Sequence, residues 1–117
     1  MKILPLFLIL AALVVQPVQA QGHTIALNQS NPRWSEYISF TVNTSFKQPY
    51  VRLLCLQGDR IVKGERKAYF VGSSGDFRLY DPILWPIGGG ASCTATIEKQ
   101  SGNSITTHGS TSFTVLP

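Results

Sequence analysis

Two-residue alternation constrains this chain more than any other feature. Ala91, Cys93, Ala95 and Ile97 share one parity, while Ser92, Thr94, Thr96 and Glu98 share the other. That is the pattern of a strand with one face in a core and one in water. Tyr50 to Gln57 follows the same rule: Arg52 belongs in solvent, so Val51, Leu53 and Cys55 face inward. Both cysteines of the chain then point into one core. With no third cysteine, no Cys-x-x-Cys and no histidine close in sequence, Cys55 and Cys93 are expected to form a single disulfide in an oxidising compartment.

The rest of the chain repeats the β signal. No eleven-residue window carries a 3.6-residue period, and short apolar runs are separated by Gly, Pro, Asn and Asp. Thr24 to Leu27 reads as a first strand. Tyr37 to Asn43 reads as a second, with Ile38, Phe40 and Val42 on one face. After Tyr50 to Gln57, Gly58-Asp59 turns the chain. Ile61-Val62 and Ala68 to Val71 are expected to flank a charged segment, Lys63 to Lys67. Gly72 to Gly75 is a turn cluster, and Phe77 to Tyr80 a short strand. In the last hairpin, pairing Lys99 with Asn103 leaves Gln100-Ser101-Gly102 as the loop. That register sets Ile97 opposite Ile105 and Cys93 opposite Gly109, with Ile105, Thr107, Thr111, Phe113 and Val115 inward; Gly109 could instead mark a bulge.

The N-terminus bears on compartment. Lys2, the apolar run Ile3 to Val15 and the exit Val18-Gln19-Ala20 have the layout of a secretory signal peptide. The run is too short to span a bilayer comfortably. Residues 1–20 are therefore expected to be cleaved after Ala20, leaving 21–117 as one exported domain, secreted, extracellular or periplasmic, with no transmembrane span. Loss of Lys2 leaves nine Lys plus Arg against six Asp plus Glu, a formal +3. Five of the nine, Arg52, Arg60, Lys63, Arg66 and Lys67, fall in one stretch. They form either a solvated hairpin whose lysines guard an edge strand or a patch for an anionic polymer. Export argues against a nucleic-acid partner.

The pieces VRLLCLQGD, GGASCTATIE and STSFTVLP resemble a central strand, the penultimate strand and the closing strand of an immunoglobulin-like domain. The resemblance implies an all-β, antiparallel β-sandwich of about seven strands with one disulfide. The short gap between cysteines and the lack of a tryptophan between Cys55 and Ile83 depart from antibody domains. They imply a bridge between the third and sixth strands, neighbours in one sheet. The pattern looks more like the small exported immunoglobulin-like domains that bacteria and phages encode, which bind or decorate surfaces.

Nothing in the sequence assembles a catalyst. His23 and His108 are the only histidines, and no Gly-x-Ser-x-Gly is present. The acids Glu36, Asp59, Glu65, Asp76, Asp81 and Glu98 are scattered; only Asp76 and Asp81 come near one another, without the ligand run of a calcium loop. No metal or cofactor is expected. The candidate binding residues are Phe77, Tyr80 and Trp85 around Asp81-Pro82, with Arg60, Lys63, Arg66 and Lys67 on the basic hairpin; Trp85 could equally plug the core. Tyr50, Leu54 and Leu56 make the outward face of their strand apolar, a candidate self-association face unless a loop covers it. Asn28 and Asn43 fit the N-glycosylation pattern. The expected function is binding of an extracellular protein or glycan by a monomer or weakly self-associating module. A structural or decoration subunit of a virion, fibre or pilus comes second, and an inhibitor of a secreted hydrolase third.

Overall fold

The computed structural model describes residues 22–69 and 76–117. The expected signal segment, the Gly72–Gly75 turn cluster and the end of the expected Ala68–Val71 strand lie outside the described residues. Strand follows strand: β1 Thr24–Leu27, β2 Tyr37–Ile38, β3 Phe40–Asn43, β4 Tyr50–Gln57, β5 Arg60–Ala68, β6 Phe77–Arg78, β7 Ala91–Ser101 and β8 Ser104–Val115. All named pairings are antiparallel. β5, β4, β7 and β8 form one four-stranded sheet in that order, while β1 pairs with β3 and β2 with β6.

The core lies between the large sheet and the two small pairs. Val51, Leu53 and Cys55 of β4 and Ala91, Cys93, Ala95 and Ile97 of β7 turn their side chains inward. They join Ile25, Ile38, Phe40 and Phe77 from the small pairs. Phe40 meets Phe77 edge-on at 5.8 Å and Phe113 of β8 at 6.0 Å, tying the layers together. Cys55 and Cys93 stand directly opposite each other on β4 and β7, and their disulfide lies within one sheet.

The expected strand over Tyr37–Asn43 is broken at Ser39. Its N–H donates to the Gln29 side chain and its carbonyl accepts the Asn28 N–H, so local partners replace a ladder there. Ile38 and Phe40, on either side of the break, both remain buried.

The charged segment Lys63–Lys67 is the middle of β5, continuous with the apolar Ile61-Val62 before it. Val62 is the extra residue of a bulge opposite Cys55–Leu56. Beyond it, Lys63, Glu65 and Lys67 take the inward parity, opposite Cys55, Leu53 and Val51. They are tolerated because each finds a partner: Lys63 pairs with Glu65 at 3.1 Å and donates to the Tyr80 carbonyl at 2.9 Å. Lys67 donates to the Asp76 carbonyl. Inward charge on an edge strand discourages pairing with another chain.

The last hairpin differs from its expected register. Ser101 pairs with Ser104, leaving Gly102-Asn103 as a two-residue turn with Gly102 at φ 61°. Gly58, at φ 64° in the Gly58-Asp59 turn, has the same role; a glycine first in a two-residue hairpin loop is the type II′ signature. A bulge at Gly109 then shifts the ladder, so Ile97 faces His108 and Cys93 faces Phe113. The slip turns Ile105 and Thr107 outward and brings Thr106 and His108 to the inner side.

The bridge closes a loop with a sequence separation of 38. Replacing both cysteines by alanine is predicted to lower unfolding free energy by about 4 kcal/mol. Urea denaturation of the double variant checks this; a loss under about 1 kcal/mol would show that the ladder holds its register without the bridge.

Candidate functional site

The residues singled out around Asp81-Pro82 divide between core and surface. Phe77 and Trp85 are each 1% exposed and belong to the core, so neither ring offers a face to a ligand. The Trp85 indole N–H donates to the Gly89 carbonyl, and the Trp34 indole N–H donates to the Trp85 carbonyl. Tyr80 is half-buried, between the Trp34 ring and the Arg78 guanidinium. The Asp81 carboxylate accepts the Ile83 and Leu84 N–H groups, both at 2.8 Å. These bonds, Leu84 first, hold its carboxyl below the usual range. The turn so fixed sends Trp85 inward and leaves Ile83, Leu84 and Ile87 exposed.

The basic stretch does not form one free patch. Lys63 and Lys67 pair with Glu65. Arg60, at the far end of the hairpin, donates to Gln57. Arg66 belongs to a different constellation on the outer face of the large sheet. There Glu98 of β7 accepts Arg52 of β4 and Arg66 of β5, each at 2.7 Å. Arg66 also covers the Tyr50 ring at 3.7 Å and reaches the Gln100 amide oxygen at 3.2 Å. The β4 face is consequently less open than its sequence suggests: Tyr50 and Leu56 are half-buried, and Leu54 is 37% exposed.

A cleft opens beside this clamp. It has a volume of about 660 Å³ and lies between the 45–48 segment and the end of β7, with Tyr50 in its lining. Lys47 and Lys99 bring two ammonium groups to its lining, and Ser45, Gln48 and Gln100 bring hydroxyl and amide groups. No carboxylate lines it. One wall is braced by Phe46. His23 stacks on that ring at 4.4 Å, His108 meets it edge-on at 4.8 Å, and the Lys99 ammonium stands 5.0 Å from its centre. The histidines are fixed in turn: His23 Nδ1 bonds the Thr44 hydroxyl and His108 Nε2 the Thr106 hydroxyl. This aromatic knot holds Lys47 and its neighbours against the β7–β8 hairpin.

The chain matches no protein-family model, no curated protein and no solved structure. Among the described residues, no group of three or more His, Cys, Asp or Glu gathers in a metal-binding arrangement. No helix among them is long and apolar enough to cross a membrane. The Asn28 amide nitrogen donates to Ser39 and its oxygen accepts the Thr41 hydroxyl, so a glycan there would compete with the Ser39 bond. Sequence reasoning missed Lys47 and Lys99 because they lie far apart in the chain. The one available signal was the Lys47-Gln48-Pro49 break just before Tyr50, which ends one strand and starts the next.

Glu98 gives a pH prediction. Burial opposes its charge, but the hydrogen bonds from Arg52 and Arg66 outweigh that, and its carboxyl titrates below the ordinary 4.5. A lowered folded value stabilises the fold fully above pH 4.5, and that contribution is lost as pH falls through the folded value. Glu98→Gln is predicted to cost about 1–2 kcal/mol at pH 7, modest because Arg52 is half exposed. It should also flatten the loss of stability on acidification. Urea midpoints at pH 7 and pH 3 check this; equal acid slopes in both proteins would contradict it.

Proposed function

We propose that this protein is an exported, non-enzymatic binding module of immunoglobulin-like fold that recognises a protein or glycan at a cell surface or envelope. The observation that carries the proposal is the cation-lined cleft between Lys47 and Lys99. Export is supported by the disulfide, which suits an oxidising compartment. The immunoglobulin-like assignment is supported by strand order. β2 and β3 are halves of one run, pairing with β6 and β1, while β5, β4, β7 and β8 form the facing sheet. Binding rather than catalysis is supported by the histidines, which engage threonine hydroxyls and ring faces rather than carboxylates.

Saturable capture of the purified protein on envelope material from the producing organism tests the proposal. Reversing both cleft charges, with Lys47→Glu and Lys99→Glu together, is expected to reduce capture at least tenfold while leaving the unfolding midpoint within a few degrees. Capture unchanged by the reversal would remove the cleft from the account.

A second function, a subunit of an extracellular assembly, is favoured by β8. This edge strand of the large sheet runs from Ser104 to Val115 without a Lys, Arg, Asp, Glu or Pro. That contrasts with the charged edge at β5; β1 packs against part of β8, and uncharged edges left open invite strand addition. In this case sedimentation would show concentration-dependent self-association that Ile105→Lys disperses. A monomer at all concentrations would exclude it.

A further inference from the structure

We infer that the ligand of the Lys47–Lys99 cleft is an anionic saccharide, a chain bearing sulfate or uronate groups; this rests on the binding-module proposal above. The charge balance is the first reason. Lys47 and Lys99 line the cleft with no ion pair to any carboxylate among the described residues. Behind them Arg52 and Arg66 share the single carboxylate of Glu98. Four cations against one anion leave a local excess of +3 at one end of the domain. An excess of one sign in a concave site concentrates counter-ions of the other.

The neutral groups give the second reason. Ser45, Gln48 and Gln100 present donors and acceptors together, which suits a ligand carrying hydroxyls beside its charges. Gln100 is already held by Arg66 at 3.2 Å, so its amide is oriented before any ligand arrives. A lipid surface fits poorly. The exposed large apolar side chains, among them Ile83, Leu84 and Ile87, all lie outside the lining.

The third reason is that the cations are partly pre-placed. Lys99 stands over the Phe46 ring, itself clamped by His23 and His108. Arg66 lies over Tyr50. Ordering long side chains before binding removes an entropic cost that free surface lysines would incur. Arg60, at the opposite end of β5, has none of this support and supplies an internal control.

Calorimetric titration with a sulfated hexasaccharide, an oligouronate and a neutral hexasaccharide tests the inference. The expected result is saturable binding of one or both anionic chains and none of the neutral one. Lys47→Gln and Lys99→Gln should each weaken binding about three- to tenfold and lower its salt dependence, with Arg60→Gln unchanged. Equal binding of the neutral chain would overturn the inference. So would an equal effect of Arg60→Gln, which would mean diffuse charge, or tighter binding of an oligoglutamate peptide. Inorganic sulfate is included as a competitor; full competition at millimolar levels would reduce the site to an anion site without saccharide recognition, overturning it as well. Envelope capture that depends on the cleft yet resists the anionic chains would sink this inference and leave the binding module standing. Saturable capture independent of the cleft would likewise sink only this inference; no saturable capture at all would sink both.

Discussion

The Cys55–Cys93 bridge fixes the register from which everything else is measured. It sits inside the β4–β7 ladder, where the two residues are direct partners. Because side chains alternate, one fixed pair assigns every other residue of both strands to a face. Leu53 and Ala95 go into the core, while Arg52, Thr96 and Glu98 go outward. A one-residue slip would turn Arg52 into the core, expose Leu53 and take Glu98 from its arginine partners. The bridge also restricts the unfolded chain, which matters for a domain this small.

The same register builds the cleft from the sheet outward. Tyr50 pairs with Glu98 at the start of β4. That places the Arg52–Glu98–Arg66 clamp at one end of the sheet and leads β7 on to Lys99 and Gln100. The 45–48 segment enters β4 just before Tyr50, with Pro49 buried. It is pressed against the hairpin by the His23–Phe46–His108 contacts. The paired charges of the clamp are therefore structural, and the two lysines beside them are free of ion pairs among the described residues.

Much of this was legible in the sequence where alternation was clean. β1 and β4 have the expected limits, the inward faces of β4 and β7 are as the parity of Val51 and Cys93 implies, and the cysteines meet. Legibility failed where a local device overrode parity. The short Gly102-Asn103 turn and the Gly109 bulge reset the β7–β8 register and turned Ile105 outward. The charged run separated two strand pieces in the sequence but lies within one strand, because the ion pair of Lys63 with Glu65, which makes inward charge bearable, forms only on folding. The cleft was invisible for a similar reason. Lys47 and Lys99 are neighbours only after β4 pairs with β7, and Glu98 cancels Arg66 only across two strands. The aromatic cluster misled because apolar residues beside Pro and Gly serve core and surface alike. Here the Asp81-capped turn sends Trp85 to the core.

Amide chemical-shift mapping during titration with a sulfated oligosaccharide tests the central claim most directly. The account predicts saturable shifts clustered at Lys47, Gln48, Lys99 and Gln100, fading along β4 toward a silent Arg60. Shifts centred on the Ile83–Ile87 turn, or spread evenly over every basic residue, would contradict it.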